Sequence, residues 1–345
     1  MISQRRARFG LTFLAVLALS GAPSRADDST ATLGAGGLAL EKTDKIALVS
    51  EDLTLSPTAV KVAYRFRNLT NQDYETIVAF PMPDIAGSVD MAISIPDPAS
   101  DNFLRFVTRV DGKPVNSQVE QRAFLTAPDK PEVEITERLK SLGVPLVPTM
   151  DAAGSALSAL SAPQRKALAD AGIVYPEDID VGKGAHTEWV PLWTLRSKFW
   201  RSQVFPAGRD LLVEQTYTPG VGSQSTLSFG APDLSAAGTA RYRETYCTDG
   251  PFAKAAQAIY RAANAPHPTV SAFEEYLSYV ITSGANWAGP IGTFRLVVDK
   301  GDSALVSFCG DGVRKIGPTT FEMTAKDYTP RRDIDILFVK THSNR

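Results

Sequence analysis

The chain has 345 residues, 43% hydrophobic and 21% charged, with 36 basic and 38 acidic side chains and a formal charge of −2. This is an ordinary globular composition, and its slightly acidic balance argues against nucleic acid as a partner.

Arg5, Arg6 and Arg8 precede an apolar stretch from Phe9 to Leu19, and Ser24-Arg25-Ala26 follows before Asp27. That order of charge, apolar run and small residues is the pattern of a secretory signal peptide over residues 1–26, with cleavage expected after Ala26. The Arg5-Arg6 pair is compatible with twin-arginine export and equally with an ordinary signal. No later segment approaches the roughly 18 apolar residues that span a bilayer. A periplasmic or secreted chain without a transmembrane segment is expected after cleavage. Its 319 residues would carry 32 basic against 38 acidic side chains, a charge of −6, and that length favours two domains.

From Val60 to Arg67 large apolar residues fall at even positions and basic ones at 61, 65 and 67, the period of a strand with one buried face. Residues 68–73 read as a turn. The apolar run Thr76–Phe80 reads as the returning strand, ended by Pro81 and Pro83 because proline cannot donate to a ladder. Alternation resumes at residues 89–95 and 104–110 before an Asp111-Gly112 turn. Short strands separated by turns predict an antiparallel β-sandwich over residues 27–116.

The strand, its Asn-containing corner, the return ending in Phe80-Pro81-Met82-Pro83 and the later Val110-Asp111-Gly112-Lys113 resemble the start of the VIT sandwich module. With Leu33-Gly34-Ala35-Gly36-Gly37-Leu38, Asn286-Trp287-Ala288-Gly289-Pro290-Ile291 and Cys309 in its Ser-Phe-Cys context, the chain more closely resembles the bacterial family called domain of unknown function 4424. The resemblance implies an exported protein and spans nearly the whole mature chain. It implies no activity, since the family is uncharacterised.

Residues 117–182 change in texture. Pro131 to Leu142 has early glutamates, a late Lys140 and Gly143 as a stop, and predicts a helix. Ser161-Ala162-Pro163-Gln164 is a capping box that opens a second helix ending at Gly172. The small-residue run 151–162 between them reads as a connector. A helical insertion is therefore expected between two β-rich halves.

Residues 183–345 return to strands, at 187–205, 211–217, 276–282, 294–298, 304–309, 321–324 and 334–339, interrupted by an amphipathic helix over Pro251 to Asn264. Lys300-Gly301-Asp302 is read as a hairpin turn. In an oxidising compartment the chain's two cysteines, Cys247 and Cys309, predict one disulfide. Closing that loop is worth about 4 kcal/mol in the chain-entropy model. The rival reading is two free thiols. The fold class expected is mainly β with α insertions: two antiparallel sandwich-like halves and a helical insertion.

Catalytic patterns are absent from the sequence. His186, His267 and His342 are scattered singly, and there is no zinc-protease helix, nucleophile elbow or phosphate loop. No catalytic residue, metal or cofactor is assigned. Asp178/Asp180 and Asp333/Asp335 have the spacing that puts two carboxylates on one strand face, most simply a solvated face. Asn68-Leu69-Thr70 is a formal glycosylation sequon, read as turn chemistry. Trp189, Trp193, Trp200, Asn286 and Trp287 are the candidate ligand or partner surface, with core packing as the alternative. The function expected is a binding or envelope-support protein whose partner is a periplasmic protein or envelope glycan. The alternative is a secreted hydrolase of envelope glycans.

Overall fold

The computed structural model describes residues 28–34, 37–126, 130–180, 184 and 186–344. The expected signal peptide lies outside them. The strand Ala59–Asn68 buries Val60, Val62, Tyr64 and Phe66 and turns Lys61, Arg65 and Arg67 outward, as its period requires. Asn68 then folds into the corner. Its amide donates to the carbonyls of Gln72 and Phe205, both at 2.8 Å, while its Oδ1 accepts from the Thr70 amide. The sequon asparagine is thus an internal turn residue.

The returning strand Tyr74–Pro81 stops at the first proline, and it joins a different sheet from its predecessor. Ala59–Asn68 belongs to an eight-stranded sheet with Ile46–Ser56, Asp210–Tyr217, Val107–Val110 and Ile291–Asp299 among its members. Tyr74–Pro81 lies in a seven-stranded sheet between Thr194–Phe205 and Ser29–Gly34. A five-stranded sheet runs Leu305–Phe308, Ile334–Ser343, Val270–Tyr279, Val221–Gln224, Ala92–Ser94, and Val174–Ile179 pairs with His186–Pro191 as a separate hairpin. Among the described strands all pairings are antiparallel except Ile291–Asp299 beside Ile46–Ser56, and an isolated bridge between Asn68 and Ala207 is also parallel. Because strands from before residue 116 and after residue 183 share all three large sheets, the changes of texture along the chain do not coincide with sheet boundaries.

The sheets meet on aromatic side chains. Phe66 of the eight-stranded sheet packs on Phe205 of the seven-stranded one at 5.7 Å between ring centroids. Phe80 reaches Tyr279 of the five-stranded sheet at 6.2 Å, and the Tyr64 and Tyr279 hydroxyls hydrogen bond at 2.9 Å. One cluster of buried residues extends from Ile46 to Phe338 through all three. The protein is mainly β, with several antiparallel sheets and, among the described residues, five α-helices.

Local differences from expectation have local causes. The helix expected from Pro131 begins only at Thr136, because Val133–Glu134 pairs with Phe124 and Leu125 as a short strand. The connector expected at 151–162 is instead a helix, Met150–Ala159. Thr149 caps it by accepting from the Ala152 amide, and its small Ala153 and Gly154 are buried. The helix Ala236–Tyr246 buries none of its residues fully and so has no apolar stripe to be recognised by. Residues 89–95 form only the three-residue strand Ala92–Ser94. The turn at Gly301 does reverse the chain, but the strands on either side belong to different sheets, so it is not a hairpin.

Candidate functional site

The tryptophans were the strongest functional lead in the sequence, and they occupy separate places. Trp193 is fully buried and donates its indole N–H to the carbonyl of Leu146 at 2.8 Å. Trp287 is 3% exposed, sits 4.7 Å from the Phe66 ring, and donates to the carbonyl of Asp28 at 2.5 Å. Asn286 is buried beside it, with its amide on Ser29 Oγ at 2.9 Å. A buried indole needs an acceptor for its N–H, and the main chain supplies one in both cases. Trp193, Asn286 and Trp287 are therefore interior residues, not members of an exposed surface. Trp189 is half-buried under the Arg165 guanidinium, 5.6 Å from its ring. Trp200 packs on Ala31, Leu38 and Ala79 of neighbouring strands in its own seven-stranded sheet.

Asn286 and Trp287 hold the first described strand. Asp28 is itself fully buried, accepts from Gln215 Nε2 at 2.9 Å, and lies 3.5 Å from Arg201 Nη2. Burial raises its carboxyl above the usual carboxylate range despite Arg201 and Gln215, which pull the other way.

A second buried carboxylate, Glu274, accepts from the Phe229 amide and the Tyr242 hydroxyl, each at 2.5 Å, and from the Tyr276 hydroxyl. Burial first, then the neighbouring Glu274, pushes both phenols upward. Here the polar capacity is spent on tying the Ala236–Tyr246 helix to the five-stranded sheet.

The disulfide Cys247–Cys309 is formed, with Cα atoms 5.0 Å apart. It borders a cavity of about 770 Å³ that also meets Phe294, Tyr328, Arg332 and Asp333. Arg332 donates to the carbonyls of Glu244 and Thr245, both at 2.7 Å, and Asp333 accepts from the Thr282 amide and hydroxyl. Arg332 and Asp333 are thus engaged in structure. The carboxylate pairs are engaged likewise: Asp178 accepts from Thr187 Oγ1 at 2.7 Å and Asp335 from Ser278 Oγ at 2.6 Å.

One region differs. An outer cleft of about 450 Å³ lies between the strand Ala92–Ser94, the start of the Met150–Ala159 helix and the Val174–Pro191 hairpin, with Asp90, Asp151, Glu177 and Glu188 in its lining. An inner pouch of about 170 Å³ adjoins it, lined by Ile85, Leu104, Tyr217, Pro219 and Tyr276 among others. Ala86, Met91 and Ile93 line both and so stand at the junction. Glycines at 220 and 222 leave room at the pouch wall. Tyr217 is 5% exposed, and its hydroxyl has no hydrogen-bond partner. Buried polar groups in native proteins nearly always have one, so an orphan in a cavity wall marks a place where a ligand atom or solvent belongs.

None of the cleft residues is among the site residues expected from the sequence, where residues 89–95 read as a strand. Glu177 and Glu188 lie 11 positions apart and face one another only through the hairpin register. Tyr217 reads as one more apolar position of its strand. The glycines near Pro219 were the available signal.

The fold and cleft define a mainly β, disulfide-bonded protein with a ligand-sized cavity system. The chain belongs to the family described as domain of unknown function (DUF4424), whose profile matches residues 26–337. No curated protein matches it. Among solved structures it is similar to a candidate nutrient-binding protein from Legionella pneumophila, at 14% identity over 91% of this chain and 72% of that one, with a TM-score of 0.41. It also matches yeast LTA4 hydrolase at 9% identity over 87% of this chain and 30% of that one, TM-score 0.24. An M1 zinc metallopeptidase from Deinococcus radiodurans matches at 9% identity over 87% and 43%, TM-score 0.24. The chain thus spans less than half the length of either of these two structures. Among the described residues no group of three His, Cys, Asp or Glu side chains is placed to hold a metal ion, and no helix is long and apolar enough to cross a membrane.

Proposed function

We propose that this chain is an exported binding protein that takes a small molecule into the cleft and pouch beside Met91, and that it acts in the periplasm or outside the cell. The signal-like start of the sequence and the disulfide support the location. Tyr217 carries the binding reading, because it lines the pouch, which shares Ala86, Met91 and Ile93 with the larger cleft, and its buried hydroxyl has no hydrogen-bond partner. Structural polar clusters elsewhere, around Glu274 and Asp333, are internally satisfied.

The test is a thermal-shift screen of the exported chain and of Gly222→Leu against a small-molecule library. A Cβ at position 222 would stand 3.8 Å from Tyr276 and 3.9 Å from Met91, in ordinary contact, so a leucine there fits the backbone and intrudes on the pouch. A folded variant is verified by its own cooperative melt. Compounds that stabilise the parent chain and not the variant support the reading. A screen in which nothing stabilises the parent, or in which both respond alike, overturns it.

A second reading, hydrolysis of envelope glycans, has one observation behind it. Glu177 and Glu188 are cross-strand partners that both line the cleft, and glycoside hydrolysis uses a pair of carboxylates. Turnover of a cell-wall glycan that Glu188→Gln abolishes would favour it over simple binding.

A further inference from the structure

Glu177 and Glu188 are direct cross-strand partners in the Val174–Ile179 and His186–Pro191 hairpin. Like charges placed opposite one another oppose strand pairing. Both line the outer cleft together with Asp90 and Asp151, and no lysine, arginine or histidine shares that lining. Among the described residues the basic side chain close to this group is the imidazole of His186, 3.3 Å from Glu188. Some carboxylates elsewhere have close basic partners, as Glu132 and Asp84 have in Arg196 and Asp210 has in Arg67. Among the described residues the cleft is a concentration of negative charge with no lysine or arginine in its lining.

The inner pouch has the opposite character. Ile85, Met91, Ile93 and Leu104 make it apolar, and its about 170 Å³ is close to that of an engineered cavity of roughly 150 Å³ that accepts benzene. Tyr217 also lines the pouch, and its buried hydroxyl, able to donate or accept, has no hydrogen-bond partner. Asp84 also borders the pouch, but it accepts from Arg196 Nε at 3.0 Å.

We infer that the ligand is an organic cation, an amine joined to a ring-sized apolar group, and this rests on the reading of the cleft as the binding site. The ammonium lies among Glu177, Glu188, Asp90 and Asp151, and the apolar group passes Met91 into the pouch. A polar substituent on that group meets Tyr217. A bare metal ion does not satisfy the same observations. The acidic residues do not converge as a ligand set, and an ion would leave both the pouch and the Tyr217 hydroxyl unused. Asp151 alone has a competing explanation, since it sits in the first turn of its helix, where a carboxylate is favoured.

Isothermal titration of the exported chain with tyramine, phenethylamine, phenylacetate, putrescine and calcium chloride tests the inference. Tyramine is expected to bind, roughly tenfold or more weakly to Glu188→Gln and more weakly as salt is raised. Tyr217→Phe is expected to weaken tyramine several-fold while changing phenethylamine little. Glu188 is partly exposed, so its glutamine variant leaves the core untouched. Phenylacetate binding as well as tyramine, or calcium alone binding in a Glu188-dependent way, overturns the organic-cation assignment. If only neutral or anionic library compounds bind and Gly222→Leu abolishes it, the charge inference fails while the cleft survives as the site. If no compound of any charge binds, both fail.

Discussion

Trp287 donates its indole N–H to the main-chain carbonyl of Asp28 at 2.5 Å, joining two residues 259 positions apart in the centre of the fold. The same indole lies against Phe66 and Phe205, one from each of two sheets. Trp287→Ala should cost roughly 3–5 kcal/mol, the range for deleting a large buried aromatic. Trp287→Phe keeps a ring but leaves the Asp28 carbonyl short of a donor, and should cost about 1–3 kcal/mol. Urea denaturation of the two variants checks the order. A loss below about 1 kcal/mol for the alanine variant would contradict the interior role.

Asp28 should give stability a pH dependence of definite sign. Burial holds its carboxyl above the ordinary 3.8, so the folded chain keeps that proton to higher pH than the unfolded chain. Its favourable contribution is complete below the unfolded value and is lost as pH rises through the folded one. Asp28→Asn removes this dependence. Melts from pH 3 to 8 should show the parent losing stability relative to the variant as pH rises, and the opposite slope would refute the assignment.

The disulfide closes a loop across a sequence separation of 62 and joins the C-terminal end of the Ala236–Tyr246 helix to the end of the Leu305–Phe308 strand. The double variant Cys247→Ser, Cys309→Ser should be destabilised by about 4 kcal/mol. Reductant added to the parent chain should produce a comparable fall in its denaturation midpoint and leave the variant unchanged.

Glu274 gathers three donors in the interior. Glu274→Ala leaves the Phe229 amide without its acceptor and the Tyr242 and Tyr276 hydroxyls with only each other and Gln224 Oε1, and about 3 kcal/mol should be lost. Tyr242→Phe removes one donor to a charged group and should cost about 1.5–3 kcal/mol. Hydrogen exchange should show the Ala236–Tyr246 helix loosening first in both.

The cleft should behave in the reverse way. Removing one of two facing carboxylates relieves repulsion, so Glu188→Gln should stabilise the unliganded chain by about 0.2–1 kcal/mol. Tyr217→Phe deletes an unpartnered buried hydroxyl and should be neutral or slightly stabilising. Destabilisation by both would mean that these residues serve the fold and not a ligand.

Much was legible from the chain itself because it is written in local terms. The alternation from Val60 to Phe66, the prolines after Phe80, the capping box at Ser161 and the pairing of two lone cysteines each follow from near neighbours or from simple counting. The family resemblance through Phe80-Pro81-Met82-Pro83 and Asn286-Trp287 likewise needed only the sequence, and the match over residues 26–337 agrees with it. The tertiary structure decided which faces meet. A strand's period says that one side is buried but not against what, so sequence alone did not reveal that Tyr74–Pro81 leaves the sheet of Ala59–Asn68, or that Ile291–Asp299 lies parallel to Ile46–Ser56. For the same reason a tryptophan's place cannot be read from its neighbours: Trp189 and Trp193 are four residues apart, yet one is half-buried under Arg165 and the other wholly enclosed. The cleft is the extreme case, because Met91, Glu177, Glu188 and Tyr217 come together only when a hairpin register and two sheets are set, and long-range packing alone sets them.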